Sequence, residues 1–199
     1  LERCNFSNLL NSKDDFKKIL SNFSKLEEEM NNKNKKLELN KSEFKLKDEL
    51  DEILKSLASF FENNNNKLEI KNTITENFQI HSDVVKIHQL FYNIVGNANK
   101  FTKKGLITIS LNSEKTLDHK INLLVAIKDN GMGIDEADLH HIFENYHQGQ
   151  ISADVKNLGA GLGLNLCKEI IDLFDGTIKV SSKKNIETIV SFNLLLNSK

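Results

Sequence analysis

Asn93, Asn97 and Lys100 stand at i, i+4 and i+7, so on a helix they share one face, with Phe101 one step around. Amide oxygens are hard, neutral donors. They suit Mg²⁺ when the ion shares its shell with phosphate oxygens and water, and a nearby ammonium offsets phosphate charge. A row of asparagines can equally be solvated surface. Against that, Asn97 sits among Ile94, Val95, Ala98 and Phe101, the setting of a half-buried position. A buried amide left unpaired costs about 1 to 3 kcal/mol, so it should have a partner.

Two glycine-bearing turns carry complementary chemistry. D-N-G-M-G at 129–133 follows an apolar run at 123–127. At the end of such a strand the Asp129 carboxylate can accept a hydrogen bond from an exocyclic amine such as that of adenine. Gly131 and Gly133 let backbone approach a flat ring. The alternative is an ordinary D-N-G turn. G-A-G-L-G-L at 159–164 leads into an apolar-periodic stretch. Glycines at a helix start leave backbone amides facing an anion, and the helix dipole adds to the attraction. The dinucleotide fingerprint would need a preceding strand, with an acidic residue about 20 positions on. Here a polar, aperiodic loop over 147–161 precedes the glycines, which argues against that class.

The elements that must position these groups follow from hydrophobic period. Helices are expected over 6–30, 46–61, 84–101 and 162–174, with short helix signals at 135–143. Strands are expected at 67–71, 106–111, 123–127, 177–181 and 187–195; 106–111 alternates apolar and polar, and 123–127 reads as a buried-strand run that ends at Asp129. Strands that come late and mostly adjacent, mixed with helices, give an α+β class with helices layered on one face of the sheet. The polar stretch 31–40 is the candidate boundary between a long first helix in 1–40 and a domain over 41–199.

Composition narrows the function further. At 199 residues there is room for one substantial core and a small element beside it. With 39% hydrophobic and 28% charged residues, the chain is an ordinary globular one. A formal net charge of -1 provides no field to draw nucleic acid, which is not an expected partner. Cys4 and Cys167 make neither a disulfide framework nor a ligand cluster, which fits a reducing, cytoplasmic setting. No run of about 18 apolar residues and no signal-peptide pattern occurs, so this stretch is expected on one side of any membrane, a membrane anchor in the parent protein being left open. Opening on Leu1 is expected of a piece of a longer protein. The asparagine tracts at 31–36 and 63–66 read as coding bias.

The order of these motifs resembles the ATP-binding domain of sensor histidine kinases over roughly 44–196. Q-L-F-Y-N-I-V-G-N-A-N-K-F-T at 89–102 looks like the N box and D-N-G-M-G-I at 129–134 like the first glycine box. I-F-E-N-Y at 142–146 looks like the F box and G-A-G-L-G-L like the second glycine box. The resemblance implies a Bergerat-type two-layer α/β sandwich with a mixed sheet, preceded by a long helix. It implies that Mg²⁺ is held by Asn97 with help from Asn93, that Lys100 meets phosphate, that Phe101 flanks the adenine, that Asp129 reads its amine and that Thr188 lies near the base. ATP contacts would come from Gly131, Gly133, Ile134, Tyr146, Lys156, Gly159, Gly161, Leu162, Gly163, Leu164 and Thr188, with the segment between the boxes as an ATP lid.

Residues 6–39 resemble the second helix of the dimerisation and phosphotransfer hairpin, with S-N-F-S-K-L-E at 21–27 and K-L-E-L at 36–39; the first helix is missing. In the family a Glu or Asp follows the phosphoacceptor histidine. None of His81, His88, His119, His140, His141 and His147 has one, so the acceptor is expected outside this chain. A response-regulator receiver domain and a homodimer of the full-length protein are the implied partners. The chain departs from many relatives at Ala160 (Thr), Asn145 (Pro) and Val155 (Arg). Relatives that hydrolyse ATP often have Glu at Asn93, and an amide is no base, so slow hydrolysis is expected. A non-catalytic ATP-binding scaffold and another ATPase of the superfamily are the alternatives.

Overall fold

The computed structural model describes residues 37–143 and 163–199, apart from 59, 60 and 62–64. The helix expected over 6–30 and the loop expected over 147–161 lie outside the described residues. In chain order the elements are β1 (Ser42–Lys45), α1 (Leu46–Ala58), β2 (Lys67–Asn72), β3 (Gln79–Ser82), α2 (Val84–Phe101), β4 (Leu106–Lys115), β5 (Lys120–Asp129), α3 (Glu136–Leu139), α4 (Gly163–Leu173), β6 (Thr177–Lys183) and β7 (Glu187–Ser198). They form a 7-stranded sheet in the order β1-β3-β7-β5-β4-β2, with β6 also paired to β7. β2 runs parallel to β4 and every other pairing is antiparallel, so the sheet is mixed.

Period-two burial decides which face is covered. Ile121, Leu123, Val125 and Ile127 of β5 are buried, whereas Asn122, Leu124 and Ala126 between them are only partly so. The run at 123–127 therefore alternates rather than being buried on both sides. Val190, Phe192, Leu194 and Leu196 of β7 join the same face and meet Leu50 and Ile53 of α1, Leu90, Phe91 and Ile94 of α2, and Leu166 and Ile170 of α4. Helices thus cover one face, the α+β arrangement expected. Burying an aliphatic or aromatic side chain contributes about 1.5 to 3 kcal/mol. That outweighs the helix penalty of about 1 kcal/mol for Gly96 within α2, so packing rather than propensity holds this helix.

α2 starts and ends with side-chain caps. Asp83 accepts from the Lys86 amide at 3.0 Å and from the Asn40 amide at 2.8 Å, tying the approach to β1 onto the helix start. Leu37 and Leu39 pack against the core outside any helix, whereas the K-L-E-L resemblance places them at the end of the hairpin helix. Their side chains gain more from the core than an isolated last turn would offer. At the other end, Asn66 donates to the Asn99 side chain at 2.8 Å and to the Thr102 carbonyl at 2.8 Å, and accepts from the Gly105 amide at 3.0 Å. Coding bias is therefore too plain a reading of the tract at 63–66: Asn66 is a clamp on the carbonyls that a helix end leaves unpaired.

β1 and β3 have no counterpart among the expected strands. Gln79-Ile80-His81-Ser82 has one apolar residue, too little alternation to register as a strand, and it is held by pairing with β1 and with the end of β7. α1 is described over Leu46–Ala58, and Phe61, the expected end of this helix, is buried.

Candidate functional site

The predicted face of α2 forms one side of the site. Asn97 is half-buried, and its amide makes no hydrogen bond among the described residues. Lys100 places its ammonium 4.7 Å above the Phe101 ring, and burial pushes its pKa down from the ordinary lysine range. Desolvation makes that charge costly, so an anion beside it would be stabilising. Asn93 is tied to α4, its amide nitrogen donating to the Gly163 carbonyl at 2.7 Å and to Cys167 Sγ at 3.0 Å. A Cβ on Gly163 would lie 2.7 Å from Asn93 Oδ1, so the glycine lets the two helices approach. Leu164 is half-buried in the first turn of α4.

The turn after β5 forms the second side. Asp129 is only 5% exposed. Burial raises its pKa, opposed by the Gly131 amide and the Thr102 hydroxyl, which donate to Oδ1 at 2.9 Å and 3.3 Å. No described residue donates to Oδ2. Half of a buried carboxylate is thus committed to the protein and half is open to a donor, and a buried acceptor is stabilised when a donor reaches it. Gly131 is obligatory for space: a Cβ there would stand 2.4 Å from the Phe101 carbonyl and 2.8 Å from Asp129 Oδ1. The Met132 amide reaches the Phe101 carbonyl at 3.2 Å, so the end of α2 and the turn lock together. Gly133 adopts φ +66, a left-handed conformation with the Lys183 carbonyl where a Cβ would be.

The third side is β7 with β6. Thr188 is the direct cross-strand partner of Asp129, and Ser182 that of Thr188. The Ile134 amide donates to Ser182 Oγ at 2.8 Å, which fastens the far end of the glycine turn to β6. Asp135 caps α3 and pairs with Lys184 at 2.8 Å, which lowers its pKa.

Asn93, Asn97, Lys100, Phe101, Asp129, Gly131, Gly133, Ile134, Gly163, Leu164 and Thr188 all fall on these three sides and on α4. Tyr146, Lys156, Gly159, Gly161 and Leu162 lie outside the described residues. Sequence reasoning missed Asn66, Thr102, Asn130 and Ser182. Asn130 accepts from the Leu106 amide at 2.7 Å and so anchors the turn to β4. Thr102 was legible as the residue that ends α2; Asn66 and Asn130 bond to residues distant in sequence, and Ser182 reaches the glycine turn only through the distant Ile134 amide, so none of the three leaves a local pattern. Among the described residues no three His, Cys, Asp or Glu side chains gather as a metal cage. The donors present are amides, which fit a cation that brings phosphate oxygens and water as its remaining ligands.

Residues 82–198 match the family described as histidine kinase-, DNA gyrase B-, and HSP90-like ATPases. The chain belongs to this family. Membership of this family implies ATP binding. Curated relatives include the autoinducer 2 sensor kinase/phosphatase LuxQ of Vibrio vulnificus, 32% identical over 163 residues, which covers 81% of this chain and 18% of that protein. The sensor histidine kinase YvrG of Bacillus subtilis is 35% identical over 116 residues, 58% of this chain and 19% of that protein. The chain thus spans under a fifth of the length of such relatives. In fold it is similar to the catalytic domain of the histidine kinase ThkA, with TM-score 0.62 at 22% identity over 82% of this chain and 100% of that one. ThkA in complex with the response regulator protein TrrA aligns with TM-score 0.65 at 21% identity over 88% of this chain and 48% of that one. Both of these curated relatives are named as sensor kinases. No described helix is long and apolar enough to cross a membrane.

Proposed function

We propose that this chain is the ATP-holding half of a sensor histidine kinase, which passes the γ-phosphoryl group of Mg-ATP to a histidine outside residues 1–199. The observation that carries the reading is the half-committed carboxylate of Asp129, buried and fixed through Oδ1 while Oδ2 is left for the adenine amine. Asp129 and Thr188 hold the base, and Phe101, Gly131, Gly133 and Ile134 enclose it. Asn97, aided by the Oδ1 of Asn93, would hold Mg²⁺, whose role when bound is to neutralise phosphate charge. Lys100 meets phosphate, and Tyr146, Lys156, Gly159, Gly161, Leu162, Gly163 and Leu164 complete the ATP contacts. Phosphoryl transfer depends chiefly on positioning and charge neutralisation, so little covalent chemistry is asked of these side chains.

Asn93 also bears on the reaction type. Its amide is no base and its nitrogen is already bonded to Gly163 and Cys167, which favours transfer over hydrolysis, since water needs deprotonation and a neutral imidazole does not. Residues 1–40 are proposed as the second hairpin helix and 41–199 as the catalytic domain, in a cytoplasmic part of a parent protein that forms a homodimer and hands phosphate to a receiver domain.

The test supplies a separate histidine-bearing hairpin with Mg-ATP labelled at the γ-phosphate. Label on the hairpin, lost with Asn97→Ala, is the expected result. ATP binding without transfer would favour the scaffold reading, and steady hydrolysis that survives Asn93→Ala would overturn the preference for transfer.

A further inference from the structure

Three contacts converge on Ser182 Oγ, a group with no part in the proposed transfer. The Ile134 amide donates to it at 2.8 Å, the Glu187 carbonyl lies at 2.8 Å, and Thr188 Oγ1 lies at 2.8 Å. A serine hydroxyl has one hydrogen and two lone pairs. The Ile134 amide takes one lone pair. The Glu187 carbonyl has no hydrogen of its own, so that contact uses the hydrogen of Ser182. Only a lone pair then faces Thr188, and the hydrogen of that contact comes from Thr188. All three contacts are satisfied together in this one arrangement. Thr188 consequently turns its hydrogen toward β6 and presents lone pairs alone to its other neighbours.

Thr188 and Asp129 are direct partners across β7 and β5, so their side chains share a face, and both are buried. An ionised carboxylate is an acceptor only. On this face the Asp129–Thr188 pair therefore offers acceptors, Asp129 Oδ2 and Thr188 Oγ1, and neither supplies a donor.

We propose that Ser182 is a specificity-determining positioning residue: by holding the Thr188 hydrogen it turns the Asp129–Thr188 pair into an acceptor edge that admits a 6-aminopurine and rejects a 6-oxopurine. The exocyclic amine has a hydrogen for each acceptor, whereas a 6-oxopurine brings only its N1–H donor to that edge and sets its oxygen against the lone pairs of the remaining acceptor. The assignment rests on the reading that the base lies on Asp129. Removing the Ser182 hydroxyl frees the Thr188 hydroxyl to rotate and donate, which relieves that mismatch.

The experiment measures affinities of the chain for ATP and for inosine triphosphate in wild type, Ser182→Ala and Ser182→Thr. Wild type is expected to favour ATP, Ser182→Ala to lower the ATP-to-ITP affinity ratio by about tenfold, and Ser182→Thr to keep the wild-type ratio. A merely structural role for Ser182 would weaken both nucleotides alike and leave the ratio in place. An unchanged ratio in Ser182→Ala overturns the proposal. If Ser182→Ala does not fold, Thr188→Val decides, because it removes the acceptor at nearly constant shape; a lowered ratio supports the acceptor edge and an unchanged one overturns it. Asp129→Asn separates the two levels of argument. ATP binding that survives this substitution overturns the reading of the site itself. ATP binding lost there, with the ratio unchanged in Ser182→Ala, overturns only the role of Ser182.

Discussion

The two ends of the site are built differently. Around Asp129 nearly every polar group is already committed to protein: Thr102 and Gly131 hold Oδ1, Ser182 holds Thr188 and Ile134, and Asn66 holds the carbonyl of Thr102. Around Asn97 the described residues supply far less. Asn97 makes no hydrogen bond among the described residues, and the Lys100 charge is disfavoured by burial. A base is recognised by fixed acceptors at little reorganisation cost, whereas phosphate and its cation bring charge that the protein cannot hold stably in their absence. On the proposed function, the base end is preorganised and the phosphate end is completed by its ligand.

The largest test of that contrast is Asp129→Asn. The amide oxygen can still accept from Gly131 and Thr102, which turns the new amide nitrogen toward the adenine amine, donor against donor. ATP affinity measured by calorimetric titration should fall about a hundredfold. The nucleotide-free protein should become more stable. Because burial raises the folded carboxyl pKa above its ordinary value, the folded state holds the proton more tightly. Wild-type stability should then decline as pH rises from the ordinary carboxylate range through that raised value, and the Asn variant should lack the decline. Over the same window ATP affinity of the wild type should weaken as pH falls, since a protonated Asp129 loses acceptor capacity.

Gly131→Ala tests whether the base end is truly rigid. With the Phe101 carbonyl 2.4 Å from the added methyl, backbone must shift, and denaturant unfolding should report a loss of about 2 to 3 kcal/mol together with weakened ATP binding. Asn66→Ala should cost about 2 kcal/mol, because it leaves buried carbonyls at the end of α2 without donors. Its effect on ATP affinity should be smaller than its effect on stability if the clamp acts only through the position of Thr102. Asn97→Ala is the opposite case. Stability should stay within about 0.5 kcal/mol of wild type, as expected for a side chain with no described partner. The gain in ATP affinity on adding Mg²⁺ should shrink about tenfold, while Mg-free nucleotide binding is retained. A large loss of stability in Asn97→Ala would erase the contrast between the two ends.

Much of the phosphate end is legible in the sequence. The stripe of apolar residues at helical spacing gives α2 its bounds at Val84 and Phe101, because a long period-3.6 pattern admits no other element. The same period places Asn93, Asn97 and Lys100 on one face, and the glycines flag turns where backbone approaches closely. The short strands β1 and β3 are not legible, since four residues with one apolar side chain show no period and their pairing comes from elsewhere in the chain.

By itself, then, the sequence determined the helices α1, α2 and α4, the central strands and the motifs that mark the family, all of which depend on neighbours a few residues apart. Tertiary structure alone decided the parallel pairing of β2 with β4, the clamp from Asn66 to Thr102, and the hydrogen bond from Thr102 to Asp129, the last two spanning 36 and 27 residues. It also decided the direction of the Thr188 hydrogen. That direction depends on how many donors and acceptors meet at one oxygen of Ser182, and such a count exists only once separate strands and a turn have been brought together.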